Sequence, residues 1–406
     1  MPRGPLRARP RARKVGNVSE TPLPLRREPS RPLDPADELL ALHDTTPVAR
    51  LDGRRRSAWL VTRHDHAREV LADAERFSNR APDGDGRPGV IDEGFMLGMD
   101  PPEHTRLRRM LTGAFTVRRV RTLEPQIAAI VRDHLDAMAA AGPPADLVQA
   151  FALPVPSLVI CELLGVPYAD RADFQRRSRT VVDFSADRET QAANAAEMRA
   201  YMTGLVAAAR KASGDDLLGA LIREHGDDLT DGELAGLGNL LLLAGHETTA
   251  NMLGLGTLTL LRNPDQLAAV RDDPAAVDGA VEELLRYLSI VAFGVAKHVT
   301  RDLTFHGQAM RAGDPVIVSL PAANRDPALA EEPGSLDVAR AAGPHVAFGY
   351  GVHHCLGAPL ARAEMRIAFP ALLRRFPGLR LAVPPERVRY RGASVVYGVE
   401  ELPVAW

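Results

Sequence analysis

Apolar residues recur three and four positions apart over most of the chain, the pattern of helices that bury one face. It holds over 66–73, 104–115, 122–140, 147–164, 196–211, 232–262, 265–286 and 357–375, and clusters of Pro, Gly and Asp separate these windows. Strand-like stretches are few. A hairpin is expected where 47–51 and 57–61 flank an Asp52-Gly53 turn, and the remaining strands fall within 299–319 and 378–406. No internal repeat occurs and no low-complexity linker interrupts 33–406, so the pattern predicts one mainly α domain with a small antiparallel β portion.

The window at 232–262 opens on a capping box, Thr230-Asp-Gly-Glu233, and stops at Asn263-Pro264. About 30 residues rising ~1.5 Å each make a rod of ~45 Å, long enough to cross the domain. In its middle, Leu241-Leu-Leu-Ala-Gly245-His246-Glu247-Thr248-Thr249 breaks an apolar run with an acid, a histidine and two hydroxyls. Buried polar groups cost free energy unless partnered, so this break predicts a functional segment.

Charge is uneven along the 406 residues, whose formal net value is −2. Residues 1–32 hold nine Arg or Lys, two Glu and seven Pro, which leaves −9 on the remainder. So few apolar residues do not offset the entropy of ordering this segment, and it is expected to be a disordered basic tail ahead of a single domain over 33–406. No aromatic residue is interleaved with its charge, which argues against a nucleic-acid partner. It has no apolar core like that of a signal peptide, and no run of about 18 apolar residues predicts a membrane anchor. The two cysteines, Cys161 and Cys355, exclude a disulfide framework and fit a reducing cytoplasm. Cys161 sits on an apolar helical stretch, where it is expected only to pack.

Cys355 lies in a different setting, Phe348-Gly349-Tyr350-Gly351-Val-His353-His354-Cys355-Leu-Gly357. Three glycines allow a tight loop beneath a flat ligand and the positive φ values such a loop needs. Residues 357–366 then read as a helix start, whose amides and dipole favour a thiolate. This run resembles the signature of the cytochrome P450 family. The resemblance covers 33–406 in five ordered motifs: 99–109, 244–248, 283–286, Ala323-Asn-Arg-Asp-Pro327 and the cysteine loop. It implies that family's fold, with haem b between a long distal helix and a proximal cysteine loop and helix.

By the same resemblance Cys355 is the axial iron ligand, with Phe348, Gly349 and Gly357 beside the macrocycle. A thiolate ligand pushes electron density to the iron and favours O–O cleavage, which implies dioxygen activation. His104 and Arg108, four apart on one helical face, match positions that bind the haem propionates, as does His353; Lys297 stands where the family commonly has arginine. Ala244 to Thr248 matches the segment that faces dioxygen. It implies Glu247 as proton source, Thr248 as a relay that bonds a carbonyl one turn back and opens the helical ladder to water, and Gly245 as room for dioxygen. Glu283, Arg286 and Arg340 match a buried network that fixes the loop leading to the cysteine. The substrate pocket is expected to draw on the loop at 85–98, the helices around 175–205, and Leu243, Ala244, His246, Val291, Ala292, Phe293, Val395 and Val396. These are mostly apolar and suit a hydrophobic or amphipathic small molecule.

The activity implied is a monooxygenase, hydroxylating or epoxidising in secondary metabolism. The chain contains no flavin or iron–sulfur segment, so electrons are expected from NAD(P)H through a ferredoxin or flavodoxin and its reductase. Arg106, Arg109, Arg118 and Arg119 are candidate contacts for that acidic carrier. The same haem also serves oxidative coupling or desaturation in this family, and a non-catalytic haem-based ligand sensor is the rival of another class.

Overall fold

The computed structural model describes residues 27–51, 57–82, 93–170, 176–177, 180, 187–212, 214–292, 294–341, 343–392 and 394–406. The Asp52-Gly53 turn, most of the 85–98 loop, parts of the region around 175–205 and Phe293 lie outside the described residues.

Helices α1 (Asp37–Thr45), α2 (His64–Ala72), α3 (Glu103–Thr112), α4 (Val117–Ala141) and α5 (Pro154–Leu164) form the first half. They are followed by α6 (Arg188–Lys211), α7 (Leu217–His225), α8 (Asp231–Leu261), α9 (Pro264–Asp272), α10 (Ala276–Leu288), the short α11 (Leu320–Ala323) and α12 (Ala358–Arg375). The expected helices are present, with two divisions: the window 147–164 is a π-helical segment at Val148–Ala152 followed by α5, and the window 265–286 is α9 and α10. Asp273 precedes Pro274 and is extended, as the proline ring demands, so the helix ends there. Three helices, α1, α7 and α11, carried too short a repeat to be predicted. Asp216 starts α7 by accepting the Gly219 N–H at 2.8 Å.

The β portion comprises β1 (Val48–Leu51), β2 (Ala58–Val61), β3 (Phe77–Ser78), β4 (Ala145–Asp146), β5 (Val295–Val299), β6 (Leu303–Phe305), β7 (Gln308–Met310), β8 (Pro315–Val318), β9 (Arg380–Leu381) and β10 (Pro403–Ala405). The five-stranded sheet runs β1-β2-β8-β5-β3, and β1 pairs with β2 as the expected hairpin. One pair departs from the antiparallel expectation: β2 and β8 are parallel, joined in register at Trp59 and Val316. A strand some 255 residues away in sequence can return in either direction, and local periodicity carries no information on which.

The Thr230–Glu233 capping box is formed, and α8 runs unbroken to Leu261 through the centre of the largest core. It packs against α5, α6 and α12, and α12 in turn packs against α4. Among the described residues no helix is long and apolar enough to cross a membrane. The arginine-rich segment does not stay free to residue 32, because Arg27 is buried and bonded to the body of the domain.

Candidate active site

The cysteine loop is built by its glycines. Gly349 and Gly351 have φ of 71° and 73°, and a side chain at Gly351 would place its Cβ 2.5 Å from the Leu71 carbonyl, so the loop sits directly on α2. Gly357 differs, with an ordinary φ of −79° as the residue that starts α12. The Cys355 N–H donates to the Phe348 carbonyl at 2.9 Å, closing the loop. Burial pushes the Cys355 thiol up, and the amides of Gly357 and Ala358 with the charges of Arg108 and Arg362 pull it down without overcoming burial. The amides at the start of α12 thus favour the thiolate, as expected, while burial opposes it.

Beside the loop lie two imidazoles and an ammonium, each with a buried polar atom that no described residue satisfies. The His104 and His353 rings are 4.0 Å apart, and Lys297 on β5 is fully buried. Among the described residues His104 Nδ1, His353 Nε2 and Lys297 Nζ find no hydrogen-bond partner. Burial, then His104 and Lys297, drive His353 down to about 3, and burial lowers Lys297 to about 8. Burial and the Arg108 charge also lower His104. A buried ammonium and unsatisfied ring nitrogens are costly unless acceptors complete them, and the carboxylate edge of a dicarboxylate cofactor supplies such acceptors. Arg108 differs from the other three: its Nη2 donates to the His354 carbonyl at 2.6 Å, tying α3 to the cysteine loop.

Across the site, α8 presents Leu243, Ala244 and Thr248 to open space although most of the helix is buried; Ala244 is exposed and the other two half-buried. Thr248 Oγ1 donates to the Ala244 carbonyl at 2.6 Å, the bond expected one turn back, but the helix stays continuous and its ladder is not opened. Gly245 has a different reason from the one expected. A Cβ there would lie 2.9 Å from the Ile160 side chain, so the glycine admits α5 rather than a small ligand. His246 is fully buried, with Nδ1 3.6 Å from Glu247 Oε1, and does not face the open side. Thr249 is buried as well.

Glu247 has a partner that sequence reasoning missed. Arg391 Nη1 donates to its Oε2 at 2.8 Å, and Asn251 Nδ2 donates to the Glu247 carbonyl at 2.7 Å. The loop that carries Arg391 also carries Val395 and Val396; Val396 pairs with Val291, and the Ala292 N–H donates to the Val395 carbonyl at 3.1 Å. The pocket residues expected from both segments are thus side by side, apart from Phe293.

The cytochrome P450 family model matches residues 34–212 and 207–387. This chain belongs to the cytochrome P450 family. Cytochrome P450-SU2 of Streptomyces griseolus is 47% identical over 95% of this chain and 96% of that protein. Pentalenic acid synthase of Streptomyces avermitilis is 44% identical, covering 96% and 99%. The solved structure of P450 StaH, from biosynthesis of the glycopeptide antibiotic A47934, superposes with a TM-score of 0.86 at 45% identity, covering 95% of this chain and all of that one. The fold is therefore the cytochrome P450 fold, and the protein is a haem-thiolate oxidoreductase of the monooxygenase class.

In this P450 the Glu-x-x-Arg pair is buried and bidentate, Arg286 donating to both Glu283 oxygens at 2.7 Å, with Arg340 Nε 3.4 Å from the same carboxylate. Arg286 also reaches the carbonyls of Asn324 and Pro333, so the network holds the segment 324–340. The cysteine loop itself is held by the neighbouring acid, which the sequence reading passed over. Glu282 receives Arg362 of α12 at 2.6 and 2.8 Å and faces His345 Nε2 at 3.1 Å, while Arg362 lies 4.6 Å over the Phe348 ring. The Ala347 N–H donates to His345 Nδ1, which leaves the ring proton on Nε2, directed at Glu282. Of the arginines expected to meet a redox partner, Arg109, Arg118 and Arg119 are exposed, but Arg106 is engaged by Glu233 and the Asp228 carbonyl.

Proposed function

We propose that the protein inserts one atom of dioxygen into a hydrophobic or amphipathic small molecule of secondary metabolism, taking electrons from NAD(P)H through a ferredoxin or flavodoxin and its reductase. The observation that carries this reading is the trio of buried, unpartnered polar atoms on His104, His353 and Lys297 beside the Cys355 loop. Haem b held there supplies single-electron transfer and dioxygen activation. Cys355 Sγ would ligate the iron, and His104, His353 and Lys297 would hold the carboxylate edge, with Arg108 at the loop between them. The open face of Leu243, Ala244 and Thr248, with Val291 and Val395, would line an apolar pocket.

Proton delivery falls to Glu247 and Thr248. Because Arg391 engages the Glu247 carboxyl, that group passes a proton toward Thr248 only when the contact opens and water reaches Oε1. Thr248 releases the Ala244 carbonyl to take part, which costs one neutral hydrogen bond, about 1 kcal/mol. Oxidative coupling and desaturation use the same residues and differ in product. The reading also carries a cytoplasmic home, where the free thiol of Cys355 stays reduced.

The test is spectroscopic, then isotopic. The purified protein should show the ferric and ferrous-carbonyl bands of thiolate-ligated haem, with a low-spin to high-spin shift for one class among macrolides, terpenoids, fatty acids and aromatic metabolites. Turnover of that class under labelled dioxygen should leave one labelled oxygen in the product. Absence of the thiolate bands sinks the reading, and an unlabelled oxidised product converts it to coupling or desaturation.

A further inference from the structure

Arg27 is a buried guanidinium that the proposed chemistry does not use. Among the described residues it bonds carbonyl oxygens and no carboxylate: Nη1 donates to Leu33 at 2.9 Å and Nη2 to Leu288 at 2.7 Å, with the Ser289 carbonyl at 3.5 Å. Leu288 is the last residue of α10, and Ser289 ends the helix in the left-handed region at φ 39°. The last carbonyls of a helix have no partner within it and carry the negative end of its dipole, so Arg27 caps α10 from the far end of the chain. Its other face lies 4.3 Å over the ring of Tyr397, which stacks on Tyr390 at 5.8 Å. Burial lowers its pKa to about 10, which leaves the group cationic at neutral pH.

Between these two grips runs one short pairing. Directly after α10, the Tyr397 N–H donates to the Ile290 carbonyl at 2.7 Å, Val291 faces Val396, and the Ala292 N–H donates to the Val395 carbonyl. The same loop lies along α8, through Arg391 on Glu247 and through Val399, whose methyl would be 3.2 Å from a Cβ at Gly254. A shift of Tyr397 or of the end of α10 therefore moves Val291, Val395 and Val396 relative to Thr248.

We propose that Arg27 is a positioning residue for the substrate pocket: by capping α10 and clamping Tyr397 it holds the wall formed by Val291 and Val395 at a set distance from the open face of α8. The proposal rests on reading those valines as pocket wall. Its effect falls on large ligands, which touch the wall, and spares small ones, which do not.

The test uses the full-length, haem-loaded protein and two nitrogen ligands read by their spectral shifts: imidazole, too small to span the pocket, and 4-phenylimidazole. Arg27→Ala should weaken 4-phenylimidazole about tenfold, a change of ~1.4 kcal/mol, and leave imidazole within about twofold. Hydrogen exchange should quicken at the Ala292 and Tyr397 amides and not along α12. Arg27→Lys, which keeps the charge but reaches fewer carbonyls, should fall between wild type and alanine. Unchanged selectivity with unchanged exchange overturns the proposal, and so does an equal loss of both ligands with faster exchange throughout, the sign of general destabilisation. If the wild-type protein shows no shift with either ligand, the haem reading fails instead, and the exchange measurement alone decides whether Arg27 holds the wall.

Discussion

Lys297→Met should make the cofactor-free protein more stable and the haem-loaded protein worse at keeping its cofactor. Lys297 is fully buried with no bonded partner, and burial lowers it from the usual 10.5 to about 8. That lowering corresponds to roughly 3 kcal/mol of cost for keeping the ammonium charged in the folded, cofactor-free state at neutral pH. The folded protein releases this proton near pH 8 and the unfolded chain near 10.5, so the unfolded state binds more protons between them. Stability of the wild type therefore rises as pH climbs from 8 to 10.5. Methionine has a similar length and no charge to desolvate, so the variant should gain about 3 kcal/mol at pH 7 and lose that rise. With haem bound the sign reverses. The ammonium then meets a carboxylate, and losing a charge-assisted bond of about 1.5–3 kcal/mol should speed haem loss at least about tenfold. Urea unfolding of the cofactor-free protein at pH 7 and 9.5, with haem transfer to a scavenger, reads both arms. A wild-type stability that stays flat over that pH interval, or a variant that keeps haem as well as wild type, refutes the argument. Lys297→Arg should retain haem at least as well, because the planar guanidinium can present two parallel N–H groups to one carboxylate.

Cys355→Ala should abolish the thiolate bands of the ferric and ferrous-carbonyl forms, and their survival would remove Cys355 as ligand. Thr248→Ala should keep those bands while diverting electrons from product to hydrogen peroxide; unchanged coupling of NAD(P)H to product would end its assignment as relay. Arg391→Met leaves the buried Glu247 carboxyl without its guanidinium and should cost about 3–5 kcal/mol, much of it recovered by adding Glu247→Gln, as a double-mutant cycle in urea would show. Arg362, and less strongly His345, hold the Glu282 carboxyl down to about 2 against burial, so its contribution of roughly 3 kcal/mol is complete above pH 4.5 and fades as pH falls toward 2. Glu282→Gln should flatten this acid limb in unfolding curves and loosen the cysteine loop, seen as a larger share of the carbonyl complex without thiolate ligation.

The features legible in the chain were those written into contiguous residues. The capping box of α8, its polar interruption, the glycine-bounded cysteine and the Glu-x-x-Arg pair are each set by spacing along one helix or loop, where geometry repeats every turn. The helix expected over 265–286 shows the limit of that logic, since the apolar repeat passes through Asp273-Pro274 while the backbone cannot. Gly245 shows another: its sequence position was right and its reason wrong, because what a missing side chain makes room for depends on the neighbour, here Ile160 of α5.

Partners across long separations were decided only by the tertiary structure. Glu247 meets Arg391 across 144 residues, Glu282 meets Arg362 across 80, and Arg27 caps α10 across 261. Fifty lysines and arginines and fifty-two acids allow far too many pairings for charge alone to choose among them. Packing chooses, by bringing α8 against the C-terminal loop and α10 against α12, and burial then makes each chosen pair matter because an unpartnered charge in the interior is expensive. The sequence by itself carried the family, the helical class and the glycine-bounded cysteine motif, since these depend on local order; the fold decided which charges Glu247, Glu282 and the end of α10 meet.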